Sequence, residues 1–189
     1  MGNREALLDG ATQCLYDKGY ARTTARDIAT AAGVSLAAIG YHYGSKEALL
    51  DAALQRAIES WGDRLAGTLA DAGRAGGAEQ FERTWAGVLA SLAEDRPLWA
   101  VQFELIAHLQ RTPELRHSYA EATRRARLEL ATIFGTDPAD EATALRIGAF
   151  YQALLVGVVG LWLVDPDGAP TSTDLLDAVR TVGARLAPG

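Results

Sequence analysis

The chain is poor in the residues that build disulfides and metal sites. Its 189 residues include one cysteine, Cys14, and three histidines, so no disulfide can form within the chain. Glu104 and His108 are four residues apart on a predicted helix, but two ligands fall short of a metal site. We therefore expect no metal and no other cofactor.

Signatures of enzymes are missing as well. The sequence contains no nucleophile elbow, no phosphate-binding glycine loop and no paired-ligand metal motif. Serine, histidine and acidic residues occur, but not in spacings that would bring a nucleophile and a base together. We expect no enzymatic activity.

An excess of positive charge is also lacking. The chain has 18 basic and 24 acidic residues, and its net charge of −6 argues against a general polyanion binder. Residues 1–50 contain five basic and five acidic residues, so the rest of the chain carries the whole negative excess. An acidic remainder would repel DNA and confine contact to the neutral N-terminal segment. We expect any DNA affinity to depend only weakly on salt.

Strand-like alternation, internal repeats and low-complexity segments do not occur. An alanine-rich texture with helical spacing of apolar residues runs through the chain and predicts an all-α fold. No basic stretch followed by an apolar run and a cleavage site opens the sequence, and the single cysteine suits a reducing compartment. We expect a cytoplasmic protein.

Two helix starts flank a glycine turn between Thr24 and Lys46. Thr24 and Asp27 have the spacing of a capping box, which predicts a short helix that ends near Gly33. Ser35 is then predicted as the N-cap of a second short helix. Two short helices joined by about three residues predict a helix-turn-helix, whose second helix would enter the DNA major groove.

The second helix of this pair begins with slim, apolar side chains. Leu36, Ala37 and Ala38 would fit into a major groove, where small apolar groups can contact thymine methyls. Ile39 is predicted to belong to the core. Tyr41, which follows, offers a polar-tipped aromatic ring beside this apolar start.

At these residues the chain resembles TetR-family transcriptional regulators. Residues 5–50 fit, without a gap, the family pattern TT-x-R-D-I-A-x-x-A-G-V-S-x-x-x-[IL]-x-x-[HY]-[FY]-x-[ST]-K-E-x-L. The resemblance implies phosphate contacts from Thr24, Ser35, Tyr41, His42 and Lys46. It implies base-facing or base-adjacent positions at Arg26, Ala37, Ala38 and Gly40, with Tyr41 also placed against a base.

One part of the chain departs from the family pattern. Many members carry Lys, Gly and Thr where this chain has Leu36, Ala37 and Ala38, and an aromatic where it has Gly40. The second helix therefore offers almost no hydrogen-bonding side chains. Arg26, from the preceding helix, becomes the strongest candidate for a guanine contact, because a guanidinium can bridge O6 and N7.

The resemblance also implies how the chain is organised. It implies an all-α fold with an N-terminal three-helix helix-turn-helix DNA-binding domain and a C-terminal helical ligand-binding and dimerisation domain. We place the first at residues 1–46 and the second, for effector binding and dimerisation, at residues 47–189.

Residues 147–164 form an uncharged run of 18 residues. A membrane span is one explanation, but Gln152 and three glycines weaken it. Burial against a second copy of the chain is the other. In the family that the chain resembles, the last two long helices form a four-helix dimer interface, here about 140–164 and 173–186. This implies interface positions at Gly148, Leu155, Gly157, Trp162, Leu176 and Val179.

Aromatic residues on the remaining predicted helices are candidates for an effector pocket. Aromatic walls with a few polar groups are typical of small-molecule sites, although each ring taken singly could equally be ordinary core. The ligand-binding candidates are Trp61, Trp85, Trp99, Phe103, His108, Tyr119, Tyr151 and Gln152.

These patterns favour a ligand-responsive transcriptional regulator. By the family's common mode it would be a repressor that binds a palindromic operator in double-stranded DNA as a homodimer. An apolar or aromatic small molecule would release it, and no membrane is involved. The alternative is a helical interaction module, or a small-molecule-binding protein, without operator binding. The apolar start of the second helix on a neutral segment favours that alternative.

Overall fold

The computed structural model describes residues 2–71, 76–109, 113–136 and 139–186, and these contain helices and connections but no strand. The predicted all-α fold is therefore confirmed. The helices are α1 (Asn3–Lys18), α2 (Ala25–Ala32), α3 (Ala37–Tyr43), α4 (Lys46–Asp71), α5 (Gly77–Glu94), α6 (Arg96–Leu109), α7 (Pro113–Ile133), α8 (Glu141–Val164) and α9 (Ser172–Leu186).

The chain packs as two compact units. Unit 1 comprises residues 1–63 and 95–117, and unit 2 comprises residues 64–94 and 118–189. Helix α6 thus belongs to the same unit as the three N-terminal helices and packs against α1, although it lies far beyond them in the sequence. The functional division at residue 46 follows the sequence pattern rather than this packing, and it stays a prediction.

Large apolar side chains fill the centre of unit 1. Leu7 and Leu15 of α1, Ile28 of α2, and Leu49 and Leu50 of α4 are all almost completely buried. Helix α1 packs against α2, α3 and α6. It is therefore the helix around which the helix-turn-helix is assembled.

An aromatic cluster lies in unit 2. Phe81 and Trp85 of α5 approach Phe134, with ring centroids 6.0 and 5.8 Å away. Phe134 in turn stacks on Tyr151 of α8, with centroids 3.7 Å apart. Offset or tilted aromatic pairs of this kind add to the stability that their burial provides. The cluster joins α5 and α8 to the end of α7.

Gly148 lies at a close approach between α7 and α8. A Cβ atom at this position would overlap the backbone carbonyl group of Arg127. About one turn further along α8, Arg127 Nε donates to Gln152 Oε1 at 2.9 Å. The glycine therefore serves the interior of unit 2.

Helix α8 has one face that this single chain leaves uncovered. By length and composition alone it could cross a membrane, and 22% of the window that meets this test is buried in the structure. Phe150, Leu161 and Val164 are 50, 58 and 87% exposed. Monomeric proteins rarely expose apolar residues in such rows, so this face is suited to association.

We expect Gly148→Ala to destabilise the protein by about 1–3 kcal/mol, because α7 and α8 must separate to admit the new methyl group. Gly67→Ala is the matched control, since a Cβ there meets no atom within 4 Å. The control should stabilise α4 by about 1 kcal/mol. Urea unfolding measures both free energies, and equal effects of the two substitutions would contradict the close approach.

Candidate nucleic-acid interface

Helix α2 begins at the predicted capping box. Asp27 N donates to Thr24 Oγ1 at 3.2 Å, and Thr24 N donates to Asp27 Oδ2 at 2.9 Å. Lys18 Nζ lies 2.6 Å from Asp27 Oδ1. The hydrogen bond from Lys18, followed by those from Thr24, lowers the pKa of the Asp27 carboxyl below its usual range. The capping box is confirmed, and it fixes the start of α2 relative to the end of α1.

The capping box uses the hydroxyl group of Thr24, which is also a predicted phosphate contact. The Thr24 hydroxyl donates to Asp27 Oδ2 at 2.7 Å, so its proton is already committed within the chain. A phosphate contact from the Thr24 hydroxyl would have to displace this bond. The contact stays a prediction.

Helix α2 ends at Gly33 as predicted. Gly33 has a left-handed backbone with φ 65°, and its N–H donates to the carbonyl groups of Ala29 and Thr30. The N–H of Val34 also donates to Ala29 O, at 3.1 Å. This pattern terminates a helix and turns the chain sharply. It sets the angle at which the next helix leaves.

The predicted N-cap role of Ser35 is wrong. Helix α3 begins at Ala37, with Leu36 in the cap position and no side-chain cap hydrogen bond. Ala38 N donates to Ser35 O, and Ile39 N to Leu36 O, so backbone carbonyl groups bind these first amides through a tight turn. The exposed Ser35 hydroxyl has no partner among the described residues. It remains available as a phosphate contact.

Four residues form the exposed face of α3, and we call Leu36, Ala37, Gly40 and Tyr41 the groove face. Helical spacings of one, three and four residues place them side by side. Leu36 is 49% exposed and Tyr41 is 86% exposed. This face is the part of α3 that can contact a ligand outside the chain.

Ala38 does not belong to the groove face. It is only 8% exposed and lies with Ile39 in the core of unit 1. Ala38 was predicted to be base-facing or base-adjacent. A base-facing position needs correction, because the side chain lies in the core of unit 1, whereas a base-adjacent position stays a prediction. The predicted core position of Ile39 is confirmed, since Ile39 is 4% exposed.

The charged and polar residues predicted to contact DNA differ in whether they already have partners within the chain. The exposed Arg26 side chain has no ion-pair or hydrogen-bond partner within the described part of the chain. His42 packs against Tyr41 with perpendicular rings, 4.8 Å between centroids. Lys46 Nζ donates to Thr23 O at 3.1 Å and lies 3.3 Å from a Glu47 carboxylate oxygen. Arg26 is thus the uncommitted cation of this surface, whereas Lys46 is partly held.

Sequence reasoning missed a link between α6 and the helix-turn-helix. The Glu104 carboxylate accepts hydrogen bonds from Tyr20 N at 2.9 Å and from Ala21 N at 2.7 Å. Gly19, just before them, has φ 80°, and a Cβ there would meet Glu104 Oε2. The connection between α1 and α2 is therefore fixed to α6. The one available signal in the sequence was the glycine at the end of α1, Gly19.

A second helix holds the same connection. The Tyr20 hydroxyl donates to Asp51 Oδ1 of α4 at 3.0 Å, and the Tyr20 ring lies 5.0 Å from the His108 ring of α6. Burial raises the pKa of both Tyr20 and Asp51. Tyr20 thus joins α4 and α6 to the start of the helix-turn-helix.

Glu104 and His108, the two residues with the spacing of metal ligands, have other roles. Glu104 binds backbone amides rather than a metal, while His108 lies against Tyr20. No group of three metal-binding side chains occurs in the part of the chain that the structure describes.

The predicted effector residues divide between the two units. Trp61, Trp99, Phe103 and His108 lie in unit 1, whereas Trp85, Tyr119, Tyr151 and Gln152 lie in unit 2. In unit 1, Trp61 and Trp99 form a perpendicular pair with centroids 4.9 Å apart.

Two of these tryptophans have a buried indole N–H group. The Nε1 atoms of Trp85 and Trp99 have no hydrogen-bond acceptor among the described residues. Buried N–H groups normally find a partner, so each is a place where a ligand acceptor could bind.

The predicted dimer positions also divide. Gly148, Leu155 and Leu176 are buried inside unit 2, and Trp162 is half-buried, so the first three are used within the chain. Gly157 and Val179 are exposed. Sequence reasoning missed the most exposed apolar residues of α8 and α9, which are Phe150, Leu161, Val164, Val182 and Leu186.

Comparison with known proteins agrees with this architecture. Residues 7–53 match the family of bacterial regulatory proteins called the tetR family, and residues 76–185 match the tetracyclin repressor-like C-terminal domain. The HTH-type transcriptional regulator BetI of Rhizobium meliloti (strain 1021) is 31% identical over 150 residues, covering 77% of this chain and 71% of BetI.

Two further relatives extend the comparison. The HTH-type transcriptional repressor Rv1474c of Mycobacterium tuberculosis is 32% identical over 130 residues, covering 68% of this chain and 62% of the repressor. The crystal structure of the multidrug binding protein EbrR complexed with imidazole matches with a TM-score of 0.65 at 27% identity. That match covers 98% of this chain and 90% of EbrR.

Proposed function

Because the chain belongs to the TetR family of DNA-binding transcriptional regulators, which are not enzymes, we propose that it is a cytoplasmic repressor that binds a palindromic operator as a homodimer. A small-molecule effector, apolar or aromatic in character, releases it from DNA. TetR-family regulators bind operators as dimers and respond to small molecules. The residues that carry these steps here are proposed from the structure.

The exposed groove face of α3, together with the uncommitted Arg26 of α2, is the observation that carries the proposal of operator binding. Leu36, Ala37 and Tyr41 project from unit 1, and Arg26 and Ser35 lie near them in the sequence with free donors. Free donors on short helices position a protein on phosphates, and an arginine can bind a guanine edge bidentately. Arg26 is the residue proposed to contact a base.

Exposed apolar rows on α8 and α9 support a homodimer. On α9, Val179 and Val182 are 36 and 55% exposed and lie three residues apart, and Leu186 follows one turn later with 77% exposure. On α8, Leu161 and Val164 are 58 and 87% exposed. Two copies of such a surface bury each other around a two-fold axis. A two-fold dimer presents two copies of α3, which requires a palindromic operator.

Buried aromatic residues support an effector site. The Trp85 and Trp99 Nε1 groups are buried donors, and each lies among other aromatic rings. A ligand with a flat apolar body and a hydrogen-bond acceptor would satisfy such a group. The crystal structure of EbrR, with imidazole bound, is an example of a similar chain that binds a small ring compound.

We expect the Arg26→Ala, Tyr41→Phe double variant to bind its operator at least about tenfold more weakly, because a bidentate guanine contact contributes about 1–3 kcal/mol. Gel shifts with DNA from beside the protein's own gene measure this. Arg83→Ala in unit 2 is the control, since it removes an equal charge outside the groove face. Failure to shift any such fragment at low salt would contradict operator binding.

We expect Leu161→Glu and Val182→Glu to dissociate the dimer, because each places a carboxylate in the apolar interface without a partner. Light scattering at micromolar concentration should give the dimer mass for the wild type and the monomer mass for these variants. Thr181→Glu, on an exposed polar position of α9, is the control. A wild-type monomer that binds operator normally would count against the dimer.

A further inference from the structure

Gly40 is a glycine that no contact within the described residues requires. It does not have a positive φ, unlike Gly33 and Gly44 on either side of it. A Cβ atom built at Gly40 meets no atom within 4 Å. Glycine is the least favourable residue for a helix interior apart from proline, so this position weakens α3 without a gain in packing.

The neighbours of Gly40 on the groove face are apolar. Leu36 lies one turn before it, and Ala37 lies three residues before it, so both share its side of α3. Leu36 is 49% exposed although it is a large aliphatic residue. The groove face thus combines the exposed aliphatic side chain of Leu36, the methyl group of Ala37 and the uncovered backbone at Gly40.

Polar groups on the same face are few. Its one hydrogen-bonding side chain is Tyr41, because Leu36 and Ala37 are apolar and Gly40 has no side chain. Helix α3 therefore cannot distinguish bases mainly by donors and acceptors. In the major groove, the remaining feature that distinguishes a base pair is the C5-methyl group of thymine.

We propose that the groove face recognises thymine C5-methyl groups, with Leu36 and Ala37 packing on them and Gly40 letting the α3 backbone approach the DNA closely. This rests on the proposed operator binding and specifies what that site recognises. The occupant is duplex DNA because the face belongs to the second helix of a helix-turn-helix in a TetR-family chain. Burial of one methyl group changes an affinity by about fourfold.

Uracil-substituted operators test the proposal. An operator selected from a random duplex pool is resynthesised with deoxyuridine replacing thymidine at one position at a time, which removes a methyl group and keeps all base-edge hydrogen bonds. Fluorescence anisotropy should show about fourfold weaker binding for each contacted methyl in the wild type. Leu36→Ala should bind the thymine operator more weakly and should lose the discrimination at the positions that Leu36 contacts.

Gly40→Ala tests the close approach of the α3 backbone to DNA, because it should raise the stability of the protein and lower its operator affinity. The variant should raise the melting temperature by about 2–4 °C, because alanine favours the helix. It should weaken operator binding by about tenfold, because the new methyl group enters the interface. Gly62→Ala in α4 is the matched control: its Cβ also meets no atom within 4 Å, so it should raise the melting temperature and leave affinity unchanged.

The outcomes separate this proposal from operator binding itself. Equal affinity of the wild type for thymine and uracil operators at every position would overturn the recognition of methyl groups. Unchanged affinity of Gly40→Ala would overturn the close approach. Failure to select any DNA from the pool would instead overturn operator binding.

Discussion

The Glu104 carboxylate binds the two backbone amides that follow α1, and the position of the DNA-contacting helices depends on this interaction. Tyr20 N and Ala21 N donate to it at 2.9 and 2.7 Å. Hydrogen bonds to a charged acceptor are worth more than neutral ones, and the partly buried Tyr20 amide would be costly to leave unsatisfied. The connection that they hold leads directly to Thr24 and the start of α2. Helix α6 therefore holds the connection between α1 and α2, and this connection determines where the helix-turn-helix begins.

Local signals predicted the helix-turn-helix because local interactions form it. The Thr24–Asp27 capping box and the left-handed Gly33 each involve residues at most four positions apart. The rotation of α3 could not be predicted in this way. A tight turn at Ser35 and Leu36 replaces the expected serine cap, and the resulting register buries Ala38. The Glu104 bonds join residues 84 and 83 positions apart, so no pattern in either segment signals them.

The apolar composition of α8 predicted that the helix is buried, but it did not predict which residues pack against each side of it. Gly148 was expected at a dimer interface, whereas the structure places it against the Arg127 backbone inside unit 2. An apolar helix has no polar side from which its orientation can be deduced. Only packing shows that Leu155 points inward while Leu161 and Val164 stay exposed. The same holds for the residues predicted to bind an effector, because helical spacing does not distinguish an aromatic residue of the core from one that lines a pocket.

Glu104 of α6 positions the helix-turn-helix through the amides of Tyr20 and Ala21. Amide hydrogen exchange of these two residues, measured with operator affinity in Glu104→Gln, tests this role of Glu104 most directly, with Glu94→Gln on α5 as control. A glutamine accepts more weakly and turns a donor toward one of the amides. We expect exchange of both amides to become about tenfold faster and operator binding to become about tenfold weaker, with the control unchanged. Faster exchange with unchanged operator affinity would contradict this role.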